Sequence, residues 1–128
     1  MATVLYDADC GFCLWCMGKL LALDRHHALE PLALQDPASD ALLPDDMGEE
    51  EKMRSWHLVD DDGRVTSGGH AFAPLLAQLP AGQALARLAD RAYYAITERR
   101  SLWGKLVTDG AKARARARIA ARRAPDHP

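Results

Sequence analysis

The hydrophobic positions of the chain switch between strand and helix periods from the first residues onward. Thr3 to Tyr6 is an uncharged run with β-branched and aromatic residues, which predicts a short buried strand. After Asp7-Ala8-Asp9, the residues Cys13, Cys16, Met17 and Leu20 recur at i, i+3, i+4 and i+7. That is the stripe of a core-facing helix, broadened by Leu14 and Leu21 and fading around Asp24 to His27. Leu29 to Leu34 predicts a second strand, and Pro31 within it has no amide to give a ladder, which favours a sheet edge. From Gln35 to Glu51 the chain is rich in Asp, Glu and Pro and reads as loop with one helical turn. Ser55 to Asp60 and Arg64 to Ser67 flank Asp61-Asp62-Gly63 as a β-hairpin, with Gly63 relieving a positive φ. Phe72, Leu75, Leu76 and Leu79 return to the helical period. This helix starts near Phe72, because Pro74 is tolerated only in a first turn, and Pro80 and Gly82 stop it. A longer helical region follows, with Leu85, Leu88, Ala92, Ile96 and Trp103 on one face.

The resulting order is β-α-β, then β-β-α, then further helix. This is an α/β arrangement of the thioredoxin-like kind, a small mixed sheet flanked by helices, with the first strand central and the second at an edge. A chain of 128 residues suits one hydrophobic core, and 48% apolar residues place it among globular proteins. The expected organisation is a thioredoxin-like domain over 1–108 and a basic tail over 109–128. No run of 18 apolar residues predicts a membrane span, and Met1 to Tyr6 lacks the basic and apolar regions of a signal peptide. The expected location is cytoplasmic, where paired cysteines more often do chemistry than staple a fold; an odd total of three cysteines points the same way.

Charge is unevenly spread. Residues 1–90 carry 6 Lys and Arg against 15 Asp and Glu, whereas residues 91–128 carry 10 against 3. Much of the positive charge lies in Ala111 to Arg123, whose Ala and Arg content favours helix while only Ile119 offers apolar bulk. The expectation is a helical or disordered, solvated tail, with docking on the acidic body or a partner second, and nucleic acid or anionic lipid after that. Nucleic acid is a weak candidate partner, since no aromatic residue beyond Trp103 could stack on a base.

The chemistry concentrates at Cys10-Gly11-Phe12-Cys13, between the first strand and the first helix. Two thiols in a helical first turn can close a small disulfide ring, and the helix dipole favours the thiolate of the first. Cys10 is thus the candidate nucleophile and Cys13, a turn deeper, the candidate resolving thiol. Asp7 is a candidate general base for Cys13, or else a group that caps or hydrogen-bonds the turn; Asp9 is the candidate helix N-cap. Cys16 reads as a small buried core residue, with a redox or ligand role as the alternatives. A metal centre is disfavoured and no cofactor is expected. The cluster-type C-x-x-C-x-x-C lacks its fourth cysteine and proline, and His26, His27, His57 and His70 lack ligand spacing and read as surface or loop residues. Asp7-Ala8-Asp9 also matches the D-x-D of haloacid-dehalogenase-type phosphohydrolases, but the Thr expected at position 11 is Gly.

Tyr6-Asp7-x-x-Cys10-x-x-Cys13 followed by an apolar helix resembles the DCC family of thiol-disulfide oxidoreductases, whose name reflects an Asp-x-x-Cys-x-x-Cys signature. His57 to Ala71 is similar to its strand–turn–strand–Gly segment, and Tyr93 to Arg100 to its aromatic and basic C-terminal helix. The resemblance spans about residues 3–107 and implies a thioredoxin-like fold and a redox-active Cys10–Cys13 pair exchanging with a protein or low-molecular-weight thiol. Two departures from thioredoxins proper stand out. The intervening pair is Gly-Phe, and no proline lies between Pro44 and Pro74 to face the dithiol. The competing class is a non-catalytic metal-binding or interaction module in which the cysteines are ligands or core.

Overall fold

The computed structural model describes residues 1–79 and 98–123. Four strands, β1 (Ala2–Tyr6), β2 (Leu29–Ala33), β3 (His57–Val59) and β4 (Val65–Ser67), form one mixed sheet in the order β2-β1-β3-β4. β1 is central, parallel to β2 and antiparallel to β3, and β3 and β4 form the hairpin. Pro31 lies in the edge strand opposite Val4, where its missing amide leaves the pairing with β1 intact. Gly63 takes φ +82 in the hairpin turn, a conformation open to glycine at no steric cost.

Helix α1 (Gly11–Leu23) crosses from β1 to β2. Two short helices follow, α2 (Glu49–Arg54) and α3 (Phe72–Ala77), then α4 (Arg100–Leu106) and α5 (Asp109–Arg123). The mixed sheet flanked by helices is the thioredoxin-like α/β architecture that the element order predicts. Within the segment expected to be loop, Pro37–Ser39 makes one 3₁₀ turn and α2 adds a helix. Glu49, Glu50 and Glu51 in its first turn and Lys52 and Arg54 in its last complement the helix dipole. Helix α3 begins at Phe72 as expected. Leu85, Leu88, Ala92 and Ile96 lie outside the described residues, and Trp103, placed with them on a core face, is exposed on α4.

Alternation along β1 divides the core. Ala2, Val4 and Tyr6 face Leu14, Met17 and Leu21 of α1 together with Leu58, Ala71 and Leu75. Leu5 points the other way, onto Leu32, Leu34, Leu43 and Val59. Both sheet faces are covered, which is why β1 reads as continuously apolar.

Helix α1 buries Leu14, Met17, Gly18 and Leu21, a stripe displaced by one residue from Cys13, Cys16, Met17 and Leu20. The displacement leaves Cys13 and Cys16 half-buried at the margin of the core, and Cys16 is therefore not a fully buried core residue. It arises because α5 packs on α1. A Cβ on Gly18 would stand 2.8 Å from the Cβ of Ala115, so the two helices meet where glycine leaves room. The basic C-terminal segment is thus a docked helix, with Ala115 and Ile119 buried in the core beside β1 and α1.

Arg122 fastens the far end of this contact. Its guanidinium pairs with the Asp24 carboxylate at 2.5 Å and donates to the carbonyls of Leu21, Asp24 and Leu29. Asp24 is buried and also accepts from the amides of Ala28 and Leu29, joining the end of α1 to β2. Burial works to raise the Asp24 pKa, but these donors outweigh it and hold the carboxyl below its ordinary value. His57 departs from its expected surface position. It is buried in β3, with Nε2 donating to the Lys52 carbonyl at 2.9 Å and Nδ1 against the Ser67 hydroxyl at 2.6 Å.

Candidate active site at the start of helix α1

Leaving β1, the chain turns through Asp7-Ala8-Asp9 at the end of the central strand. Asp7 accepts from the Asp9 amide at 3.0 Å, an Asx-type turn, and the Cys10 amide reaches the Asp7 carbonyl at 3.3 Å. Gln35, two residues past the end of β2, braces this turn: its Oε1 accepts from the Ala8 amide at 3.1 Å, and its Nε2 donates to Asp7 at 2.7 Å and Asp9 at 3.3 Å. Because β1 and β2 are parallel, the segment that follows β2 must emerge beside the loop that follows β1. That topological signal could have singled out Gln35 from the sequence.

The N-cap of α1 is Cys10, not Asp9. With Asp9 facing Gln35, the Cys10 sulfur takes the capping position and accepts from the Cys13 amide at 3.3 Å. The Cys13 thiol also hydrogen-bonds to that sulfur, and this is the chief reason the Cys10 pKa falls from its ordinary 9.0 to about 6. Burial opposes the shift; the Cys13 amide favours it, Asp7 opposes it and Arg100 favours it. Cys13 moves the other way, well above the ordinary thiol range, since its proton is held by the Cys10 sulfur, burial disfavours its charge and so does the charge on Cys10. Cys16 is pushed up to about 12, mainly by burial and then by Cys10. None of the three cysteines is in a disulfide. The site therefore holds one stabilised thiolate next to one retained thiol proton, the arrangement needed for attack on a disulfide followed by internal closure.

Gly11 and Phe12 separate the cysteines. A Cβ on Gly11 would stand 2.9 Å from Lys112 Cε and 3.5 Å from the Gly104 carbonyl, so α4 and α5 close over this turn. Phe12 stacks on Trp15 at 6.4 Å, and Lys19 lies over the Trp15 ring at 5.7 Å. Arg100, at the start of α4, donates to the Arg54 carbonyl at 3.4 Å and acts electrostatically on both thiols. Sequence reasoning missed Arg100 and Lys112 as neighbours of the motif, because nothing local in the sequence brings residues so distant to the start of α1. Among the described residues, no three His, Cys, Asp or Glu side chains are grouped as a metal-ligand set.

A family model described as DCC1-like thiol-disulfide oxidoreductase matches residues 4–106. The chain belongs to that family. The match covers the sheet apart from Ala2 and Thr3, the Cys10–Cys13 turn and α4, and ends before α5. Comparison with curated proteins and with solved structures returns no match. Membership of the DCC1-like family supports a thiol–disulfide redox function. In this member no described helix is long and apolar enough to cross a membrane.

Proposed function

We propose that Cys10 and Cys13 cycle between dithiol and disulfide in exchange with a protein or low-molecular-weight thiol. The observation that carries this reading is that the amide of Cys13 donates to the Cys10 sulfur at 3.3 Å, which sets the two cysteines together in the first turn of α1. Cys10, as thiolate, attacks one sulfur of a substrate disulfide; a mixed disulfide forms and one substrate thiolate leaves. Cys13 then gives up its proton and attacks the Cys10 sulfur, closing the Cys10–Cys13 disulfide and releasing the second substrate thiolate. In total, one disulfide is reduced and two protein thiols are oxidised. Asp7, whose charge acts on both thiols, is the base that receives the Cys13 proton. Such a dithiol suits a reducing compartment, and the cytoplasm is the proposed location.

The test is a redox titration of the purified protein against glutathione, read by mass-tagging of free thiols, on the native chain and its Cys13→Ser and Cys16→Ser variants. A reversible two-electron Cys10–Cys13 couple that survives Cys16→Ser and is lost in Cys13→Ser supports the reading. Absence of a reversible disulfide in the native chain would overturn it.

A further inference from the structure

Two cations from the C-terminal segment converge on the dithiol turn. Arg100 opens α4 beside the carbonyl of Arg54. Lys112, on α5, lays its side chain across Gly11, with Nζ 3.6 Å from where a glycine Cβ would stand. Among the described residues neither cation is held in a strong ion pair. Among the described residues Lys112 pairs with Asp109, at 3.7 Å and fully exposed, a contact of the loosely held kind that a ligand's carboxylate can replace. Arg100 has no ion pair among the described residues, and its hydrogen bond to Arg54 leaves other guanidinium N–H groups to donate.

The backbone near the dithiol is less suited to an extended peptide. An added strand needs open N–H and C=O groups. The carbonyls of Arg54 and Trp56, which lead into β3, already accept from Arg100 and from the Gly68 amide. What the surroundings of the turn do offer is positive charge: Lys112 lies against Gly11, between the two cysteines, and Arg100 acts electrostatically on both thiols.

We infer that Arg100 and Lys112 form a carboxylate-binding rim beside Cys10 and Cys13, and that the thiol exchanged there is a small anionic one. This rests on the proposed redox role of the pair and adds its substrate class. The carboxylates of such a thiol lie several bonds from its sulfur, so a cation beside Gly11 can hold one while the sulfur meets Cys10. Asp7 and Asp9, drawn together by Gln35 in the loop before Cys10, carry negative charge and disfavour an anion there. The exchange is the one written above, with two equivalents of the anionic thiol released for each Cys10–Cys13 disulfide closed.

The experiment measures oxidation rates of the reduced full-length chain by three disulfides: oxidised glutathione, which is anionic, bis(2-hydroxyethyl) disulfide, which is neutral, and cystamine, which is cationic. The native chain should favour oxidised glutathione over cystamine, and added salt should narrow that preference. Lys112→Gln should lower the glutathione rate relative to the neutral rate by about threefold, the size expected of one partly exposed ion pair. Arg100→Gln should lower the same ratio. Equal ratios in native and variant proteins, or a faster cystamine reaction in the native chain, would overturn the rim while leaving the dithiol role standing. Failure of all three disulfides to form the Cys10–Cys13 bond would overturn both. The salt dependence needs no variant, so a misfolded substitution cannot leave the inference unjudged.

Discussion

The amide of Cys13 donates to the sulfur of Cys10 at 3.3 Å, so the group that caps helix α1 is also the thiolate that would attack. Ionisation of that sulfur strengthens the cap, because a charged acceptor makes the stronger hydrogen bond. Helix and nucleophile are therefore stabilised together.

The first consequence concerns Cys10 reactivity. Its alkylation rate should rise with a midpoint near pH 6, the value to which its pKa is lowered. Cys13→Ala removes the leading cause of that shift and should move the midpoint upward. Iodoacetamide kinetics as a function of pH, with the thiolate absorbance at ultraviolet wavelengths as a second readout, would check both. An unchanged midpoint in Cys13→Ala would refute the hydrogen-bond account.

Stability of the reduced protein should follow the same chemistry. A thiol whose pKa is depressed on folding contributes stability above its unfolded value and loses it as pH falls through the folded one. For Cys10 the window runs from 9.0 down to about 6, so stability should climb with pH across that interval. Cys13 and Cys16 are shifted upward, so their contribution is complete below the unfolded thiol value and is lost as pH rises above it. Urea midpoints measured under reductant should rise between these pH values and decline beyond them, and Cys10→Ala should flatten the climb.

The Arg122–Asp24 pair predicts a large stability effect far from the thiols. Asp24 is buried, and Arg122 supplies its cation as well as a donor to three backbone carbonyls. Arg122→Met should cost about 3–5 kcal/mol, because a buried carboxylate loses its partner. Asp24 has a lowered pKa, so its contribution is present at neutral pH and lost as the solution is acidified below the ordinary carboxyl value of 3.8. Chemical denaturation of Arg122→Met, Asp24→Asn and the double variant would give the coupling; additive effects would contradict the pairing.

Gly18→Ala sets two effects against each other. Within an isolated helix, Ala is better than Gly by about 1 kcal/mol. Here the new Cβ would meet Ala115 Cβ at 2.8 Å and its Cα at 3.0 Å, backbone-supported atoms with little freedom to retreat. Overpacking of this kind costs about 1–3 kcal/mol, so the net change should be destabilising. Ala115→Gly should relieve the clash, and thermal melts of the single and double variants would show the rescue.

Where local signals decided the outcome, the sequence was legible. Pro31 marked the edge strand, Gly63 the hairpin turn and Pro74 the start of α3, each through a backbone constraint carried by one residue. Cys10 and Cys13 were legible through their spacing. The face of α1 was not, since hydrophobicity counts Cys13 and Cys16 as core and is blind to Gly18, the residue that α5 contacts. The docking of α5 ranked only second among the expectations for a related reason: Ala115 contributes by being small, not by being greasy. Burial of His57 needed Ser67 and the Lys52 carbonyl in place, and neither partner could be placed from periodicity.

The matched family segment stops at residue 106, yet Ala115, Ile119 and Arg122 beyond it sit against α1. What identifies this protein's kinship is therefore shorter than what makes it fold. A fragment trimmed to the recognisable part would leave Gly18 facing water and Asp24 without its counter-ion, and the helix that presents Cys10 would lose its rear support. For anyone expressing this domain, the last helix is part of the redox scaffold, not an appendage to be cut away.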